Sequence, residues 1–217
     1  LIEGTDGSGK RTQAKLLYEK LISLGVLCKI ISFPRYDTPT GKIISECYLG
    51  KVKEGSWFIN PPKLNPKVAS LFYAADRLEA KNEMEQSLHL GINIILDRYV
   101  ESNMAHQGGK LDDEERRKFI EFIKKLEYEL LELPKPDKII FLHMPMEFAV
   151  KLRQNRNEKA DAHEADINHL KNAEETYLEL AERFGWRKIS CFSNNEIKTQ
   201  EQIHEEIYNE VKNLLDS

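Results

Sequence analysis

A chain of 217 residues that is 41% hydrophobic can bury a sizeable core but is short for two full domains, so one domain with at most a small insertion is expected. Charged residues make up 31% of it yet nearly cancel, to a net −4, so no global basic field recruits nucleic acid or an anionic membrane and any anion must be met by a local site. Cys28, Cys47 and Cys191 lack metal-ligand spacing, and there is no apolar run of transmembrane length and no signal-peptide pattern, which reads as reduced core thiols in a cytoplasmic protein.

Leu1 and Ile2 look like the end of a strand, and the abrupt start implies that a few residues of that strand precede Leu1. GTDGSGKRT follows, with GxxxxGK complete from Gly4 to Lys10. Gly-rich backbone at a helix N-terminus offers several N–H groups and the positive end of the helix dipole to an anion, and the Lys10 ammonium reaches the terminal phosphates. Gly4, Thr5, Asp6, Gly7, Ser8, Gly9, Lys10, Arg11 and Thr12 are therefore candidate nucleotide-binding residues. Arg11 is the anomaly, because a Ser or Thr hydroxyl normally holds Mg²⁺ there. Thr12 is one place late and, turned by about 100° on the helix, is expected to face the α-phosphate instead. Either this is a phosphate loop with altered metal chemistry or a chance match, and the strand-to-helix context favours the loop. Ala14, Leu17, Leu21 and Leu24 recur at helical spacing right after it, and Gly25 is a natural stop.

Short β-like runs then appear at 26–33, 92–96, 138–143 and 186–192, separated by helical patterns at about 66–89, 112–132, 164–184 and 199–215. Such alternation predicts an α/β fold with a parallel β-sheet flanked by helices, in which ligands bind at the carboxyl ends of the strands. Residues 34–66 read as loop with one short helix, and QNRNEKADAHE (154–164) as either a solvated loop or a mobile lid.

FPR (33–35) and DRY (97–99) close two of these strands, putting Arg35, Asp97 and Arg98 on the same rim as Lys10. An arginine there can grip phosphate oxygens bidentately, or simply make a surface ion pair. Asp97 can orient a Mg²⁺-bound water or balance Arg98. In LFYAADR (71–77), Tyr73 and Arg77 share a helix face, which suits stacking a base and bonding its carbonyl edge as well as ordinary helix packing.

Taken together, EGTDGSGK, FPR, LFYAADR, DRYVESNMAHQ and LPKPDKIIFLHMP, followed by a charged stretch, resemble the thymidylate kinases of the nucleoside monophosphate kinase group over residues 1 to about 180. The resemblance implies a P-loop kinase that moves the γ-phosphoryl group of ATP to dTMP with Mg²⁺, acts as a homodimer and needs neither nucleic acid nor membrane. It implies that Asp6 contacts the acceptor's 3′-hydroxyl, that Arg35 and Arg98 hold its phosphate, and that Tyr73 stacks the thymine while Arg77 reaches a base carbonyl. Ser102, Asn103, His106 and Gln107 would line base and sugar, Asp97 would anchor the metal through water, and Arg153, Arg156 and Lys159 would close over ATP in a lid at about 154–162. Asp6, Lys10, Arg98, Arg153 and Arg156 would carry the catalytic charge. The chain departs from the family at Arg11, at His106 where a ring such as Tyr is usual, and at Ala162 where many lids carry another Arg. Because Gly7 stands where some members have a catalytic Arg, the basic charge is expected from the lid. A kinase of another nucleotide or nucleoside, and a P-loop switch without turnover, are the rival readings.

Overall fold

The computed structural model describes residues 1–51, 55–149, 167–193 and 196–215. Strand β1 (Ile2–Gly4) runs through the loop 5–9 into helix α1 (Lys10–Ser23), and β2 (Cys28–Ser32) follows. A short helix α2 (Pro39–Lys42) widens into a looser turn, Ile43–Tyr48, before the long helix α3 (Pro66–His89). Then come β3 (Asn93–Asp97), α4 (Val100–Gly108), α5 (Asp113–Lys124) with a wide final turn Lys125–Leu130, and β4 (Ile140–His143). Helix α6 (Ile167–Arg183), β5 (Arg187–Ser190), the hairpin β6 (Phe192–Ser193) and β7 (Glu196–Ile197), and α7 (Gln200–Leu215) complete the described chain.

Local chemistry explains the helix starts. Asn65 accepts a hydrogen bond from the Lys67 amide at 2.9 Å ahead of Pro66, and Asp112 accepts one from the Glu115 amide at 2.9 Å, so both helices begin on a side-chain cap. Among the described residues the expected strands and helices are present, with ends shifted by a few residues, while the first three positions of the pattern 164–184 lie outside them. Two differ in kind: the run 186–192 divides into β5 and the separate hairpin strand β6, and the pattern 112–132 is α5 followed by the wide turn.

The main sheet has the order β2-β3-β1-β4-β5 with every pair parallel. Apolar side chains of α3 to α6 pack on one face, around Phe119, Ile120, Phe141 and Tyr177, and those of α1 and α7 on the other, around Leu17, Leu142 and Ile207. Cys28 and Cys191 are buried as expected, whereas Cys47 is half-buried in the turn after α2. Among the described residues no helix is long and apolar enough to cross a membrane. Since the chain leaves β1 toward β2 on one side and adds β4 and β5 on the other, the crevice beyond the carboxyl end of β1 is the switch point where such sheets bind ligands.

Candidate active site

At that switch point the loop is shaped by close packing. A Cβ on Gly4 would lie 2.6 Å from the Leu142 carbonyl oxygen and 2.5 Å from Ser8 Oγ, so only glycine fits. Gly9, at φ 81°, turns the chain into α1 with no side-chain cap, which leaves the first-turn amides free for an anion. Thr5 ties the loop to the end of β4, its Oγ1 donating to the Met144 carbonyl at 2.7 Å and accepting from the Met144 amide at 3.0 Å. Lys10 curls back into the loop, Nζ donating to the carbonyls of Gly4 at 3.0 Å and Thr5 at 2.9 Å. Burial, and then the neighbouring charge of Arg98, bring its pKa down to about 8. Ser8 is buried, with no partner for its Oγ among the described residues, while Arg11 and Thr12 are exposed on the first turn of α1.

Arg98 stands at the centre. Its backbone is held at φ 65°, a left-handed conformation that costs a non-glycine residue free energy and is found preferentially at functional sites. The guanidinium pairs with Asp6 and donates to His106 Nε2 at 3.2 Å and Ser102 Oγ at 3.5 Å. Burial works against the Asp6 charge, but Arg98, then His106 and Lys10, outweigh it and hold the carboxyl well below the usual range. The His106 ring stacks on His169 and meets Tyr177 edge-on.

Beneath this rim lies Glu3, a fully buried carboxylate that sequence reasoning passed over. It accepts the Tyr99 amide at 2.8 Å, the Ser102 amide at 3.1 Å, and the Ser102 and Tyr177 hydroxyls at 2.8 Å each. One acidic side chain on β1 thus satisfies the start of α4, where the helix dipole favours negative charge, and fixes the backbone that presents Arg98. A charged residue inside an otherwise buried strand was the available signal.

A cavity opens beside the loop, walled by Asp6, Phe33, Tyr73, Arg77, Arg98, Tyr99, Ser102, Asn103, His106 and Gln107. The structure therefore gathers eight residues singled out from sequence around one space: Asp6, Tyr73, Arg77, Arg98, Ser102, Asn103, His106 and Gln107. Arg77 is 2% exposed, yet it lines this wall. Its Nε and Nη2 bond the two oxygens of Glu127, the latter at 2.7 Å, and Nη1 donates to the Tyr99 carbonyl at 3.2 Å. Burial opposes the Arg77 charge and the Glu127 carboxylate more than restores it, raising the pKa. Gln107 Oε1 is buried with no partner among the described residues, and an orphaned polar atom in a cavity wall favours a polar occupant.

The second arginine stands to one side of the first. Arg35 lines a neighbouring groove with Arg11, Asp97 and Arg98, and is not among the residues of the cavity wall. Its amide donates to Asp76 Oδ2 at 2.9 Å, its Nη2 to the Asp76 carbonyl at 3.0 Å, and Glu79 lies 3.4 Å away, so acidic groups of α3 hold it. Arg98 borders both spaces. Asp97, at the end of β3, is buried and accepts from Ser32 Oγ at 3.3 Å. Among the described residues no group of three His, Cys, Asp or Glu could hold a metal. Arg153, Arg156, Lys159 and the expected lid at 154–162 lie outside the described residues.

The family model described as thymidylate kinase matches residues 2–207. A probable thymidylate kinase of Thermococcus kodakarensis is 32% identical over 216 residues, covering 99% of this chain and 97% of the relative. The thymidylate kinase of Plasmodium falciparum is 30% identical over 214 residues, covering 99% and 89%. Among solved structures, a thymidylate kinase from Candida albicans described as having broad substrate specificity superposes with a TM-score of 0.71 at 28% identity, covering 98% of this chain and 89% of that one. Matched from β1 into α7 by the family model and end to end by its relatives, the chain belongs to the thymidylate kinase family.

Proposed function

We infer that the chain transfers the γ-phosphoryl group of ATP to dTMP, giving dTDP and ADP, with ATP on the loop 4–12 and dTMP in the adjoining cavity. One observation carries the assignment of the two spaces: Arg77, wholly buried and charged, sits in the wall of a cavity that is also lined by Arg98 and by its partner Asp6 from the phosphate loop. A nucleoside monophosphate entering base-first would meet Tyr73 and Arg77 with its ring and Arg98 with its phosphate. A P-loop switch without turnover has no use for this second space with its buried arginine.

Phosphoryl transfer asks little covalent chemistry of the protein and depends on alignment, charge and exclusion of water. Lys10 and the first-turn amides of α1 bind the donor phosphates, Arg98 draws the acceptor phosphate to the loop, and Asp6, held as a carboxylate, accepts from the acceptor's sugar hydroxyl. Arg35 contributes positive field from the neighbouring groove while staying paired to α3. His106 takes the place of a larger ring at the sugar, with Ser102 behind it.

Asp97, a buried carboxylate at the end of β3, suits Mg²⁺, which keeps several waters and is held chiefly by substrate phosphates and one or two carboxylates. Asp97 would anchor it through water, and the ion would neutralise charge on the phosphate oxygens. Residues 154–162 are assigned the role of a lid that brings Arg153, Arg156 and Lys159 over ATP, within a single kinase domain of the cytoplasm. Exposed Val68, Leu71, Ala75 and Leu78 form an apolar stripe on α3 opposite its buried face, which supports a homodimer through this helix.

Arg98→Ala tests the assignment. Removing a desolvated charged contact costs about 2–4 kcal/mol of transition-state stabilisation. A fall in kcat/KM for dTMP of about 30- to 1,000-fold, with ATP affinity changed far less, is expected. Near-normal kcat/KM for dTMP would reduce Arg98 to an ion-pair partner of Asp6.

A further inference from the structure

Helix α5 buries Phe119, Ile120 and Ile123, and the next position on that stripe, where an apolar side chain is expected, is Glu127. It is fully buried, in the wide turn Lys125–Leu130, and three donors converge on it: Nε and Nη2 of Arg77 and, at 3.1 Å, Nδ2 of Asn103. The second partner of Asn103 Nδ2 is the Ser70 carbonyl oxygen at 3.3 Å. Both groups facing that nitrogen can only accept, so the amide is seated with Oδ1 turned away from them. Arg77 and Asn103 both line the cavity. With its Nε and one Nη2 proton committed to Glu127, Arg77 still has N–H groups to offer, while Asn103 has a carbonyl oxygen to offer.

We propose that Glu127 is a positioning residue that sets the hydrogen-bonding polarity of the base pocket, locking Arg77 as its donor and Asn103 as its acceptor. A pyrimidine with a 4-carbonyl and an N3–H matches that pair. One with a 4-amino group and an unprotonated N3 meets donor against donor and acceptor against acceptor. The pocket therefore admits thymine and uracil rings and refuses cytosine without a clash of shape, because both rings have nearly the same outline. This rests on the reading of the cavity as the acceptor's base site.

In Glu127→Gln the size is kept, but a carboxamide nitrogen replaces one acceptor, and Asn103 loses the carboxylate that orients it. The amide can then turn Nδ2 into the cavity and donate to the cytosine N3. Steady-state kinetics with dTMP and dCMP, at saturating ATP and Mg²⁺, should show the dTMP/dCMP ratio of kcat/KM falling by about tenfold or more, since a pocket built on fixed polar partners owes its discrimination to them. The loss should appear mainly as a raised KM for dTMP, with the KM for ATP unchanged. A purely structural role would lower stability and both substrates' rates alike and leave the ratio where it was. If Glu127→Gln does not fold, Glu127→Asp keeps the charge opposite Arg77 and draws the carboxylate back from Asn103. The ratio should then fall in the same direction by a smaller factor. An unchanged ratio in whichever variant folds overturns the role of Glu127. A wild-type protein that uses dCMP as well as dTMP overturns the base-site reading itself, and the two failures are thereby told apart.

Discussion

Replacing Glu3 by Gln removes one charge and almost no volume. Four donors converge on the carboxylate, from the amides of Tyr99 and Ser102 and the hydroxyls of Ser102 and Tyr177. A glutamine can keep its carbonyl toward the two amides and turn its NH₂ toward the two hydroxyls, which can reverse and accept. The hydroxyls lie 3.0 Å apart, so one can donate to the other while the second loses its acceptor. What is lost is the charge assistance of four hydrogen bonds, which makes such bonds roughly twice as strong as neutral ones, together with the favourable meeting of a carboxylate with the start of α4. Buried bonds to a charged group contribute about 1.5–3 kcal/mol against about 1 for neutral ones, a loss of about 0.5–2 kcal/mol per bond, so the four together lose at least about 2 kcal/mol. For a chain of this length that lowers Tm by at least about 4 °C. Glu3→Ala should cost more, because it orphans two buried amides. Urea unfolding of the three proteins, read at an unchanged slope, measures the differences directly. The dTMP KM should rise in Glu3→Gln as well, since the same bonds hold the backbone that presents Arg98. A Glu3→Gln protein within 0.5 kcal/mol of wild type would refute the reasoning, showing that charge on Glu3 does not hold the network (surface-like changes stay about that small).

Lys10, brought down from an ordinary 10.5 to about 8, is neutral in the empty loop above that pH, so ATP binding must restore its proton. The ATP dissociation constant is expected to rise above pH 8, by up to about tenfold per unit, with proton uptake seen by calorimetry in buffers of different ionisation enthalpy. The empty protein should move the opposite way and gain stability from pH 8 towards 10.5, because there the unfolded lysine holds a proton that the folded one has released. Arg11 shares its groove with Asp97, and its charge opposes a cation there. Arg11→Thr should lower the Mg²⁺ concentration needed for half-maximal rate, whereas a collapse of kcat with unchanged Mg²⁺ dependence would make Arg11 a catalytic charge. Leu71→Glu, placing charge in the exposed stripe of α3, should shift the mass measured by light scattering from dimer to monomer, and a wild-type protein that is monomeric at micromolar concentration would remove that proposal.

Most of the site's rim was legible because strand ends and a glycine loop announce themselves locally. Arg98 and Asp97 close β3, Lys10 opens α1, and Tyr73 with Arg77 lies four residues apart on α3. Helix α4 escaped periodicity analysis for a physical reason. It is nine residues long and none of its residues is exposed, its polar side chains being turned inward with the apolar ones, so no solvent face marks it in the sequence. The carboxylates behind the site were hidden by distance along the chain. Glu3 reaches partners near residue 100 and at Tyr177, and Glu127 meets Arg77 from 50 positions away. Arg35 shows the converse, since nothing in FPR reveals that the middle of α3 meets its guanidinium with Asp76 and Glu79. A motif can say which group is present at a strand end, but the neighbour that neutralises it comes from tertiary packing.

The most direct test is a crystal structure of the protein with dTMP and a non-hydrolysable ATP analogue. The account predicts the thymine against the Tyr73 ring, its 4-carbonyl within hydrogen-bond distance of Arg77, its 5′-phosphate on Arg98, and the triphosphate along the loop 4–12 with its γ-phosphate beside Lys10. A dTMP molecule lying instead in the groove of Arg11, Arg35 and Asp97, with the cavity at Arg77 and Asn103 left to solvent, would contradict it.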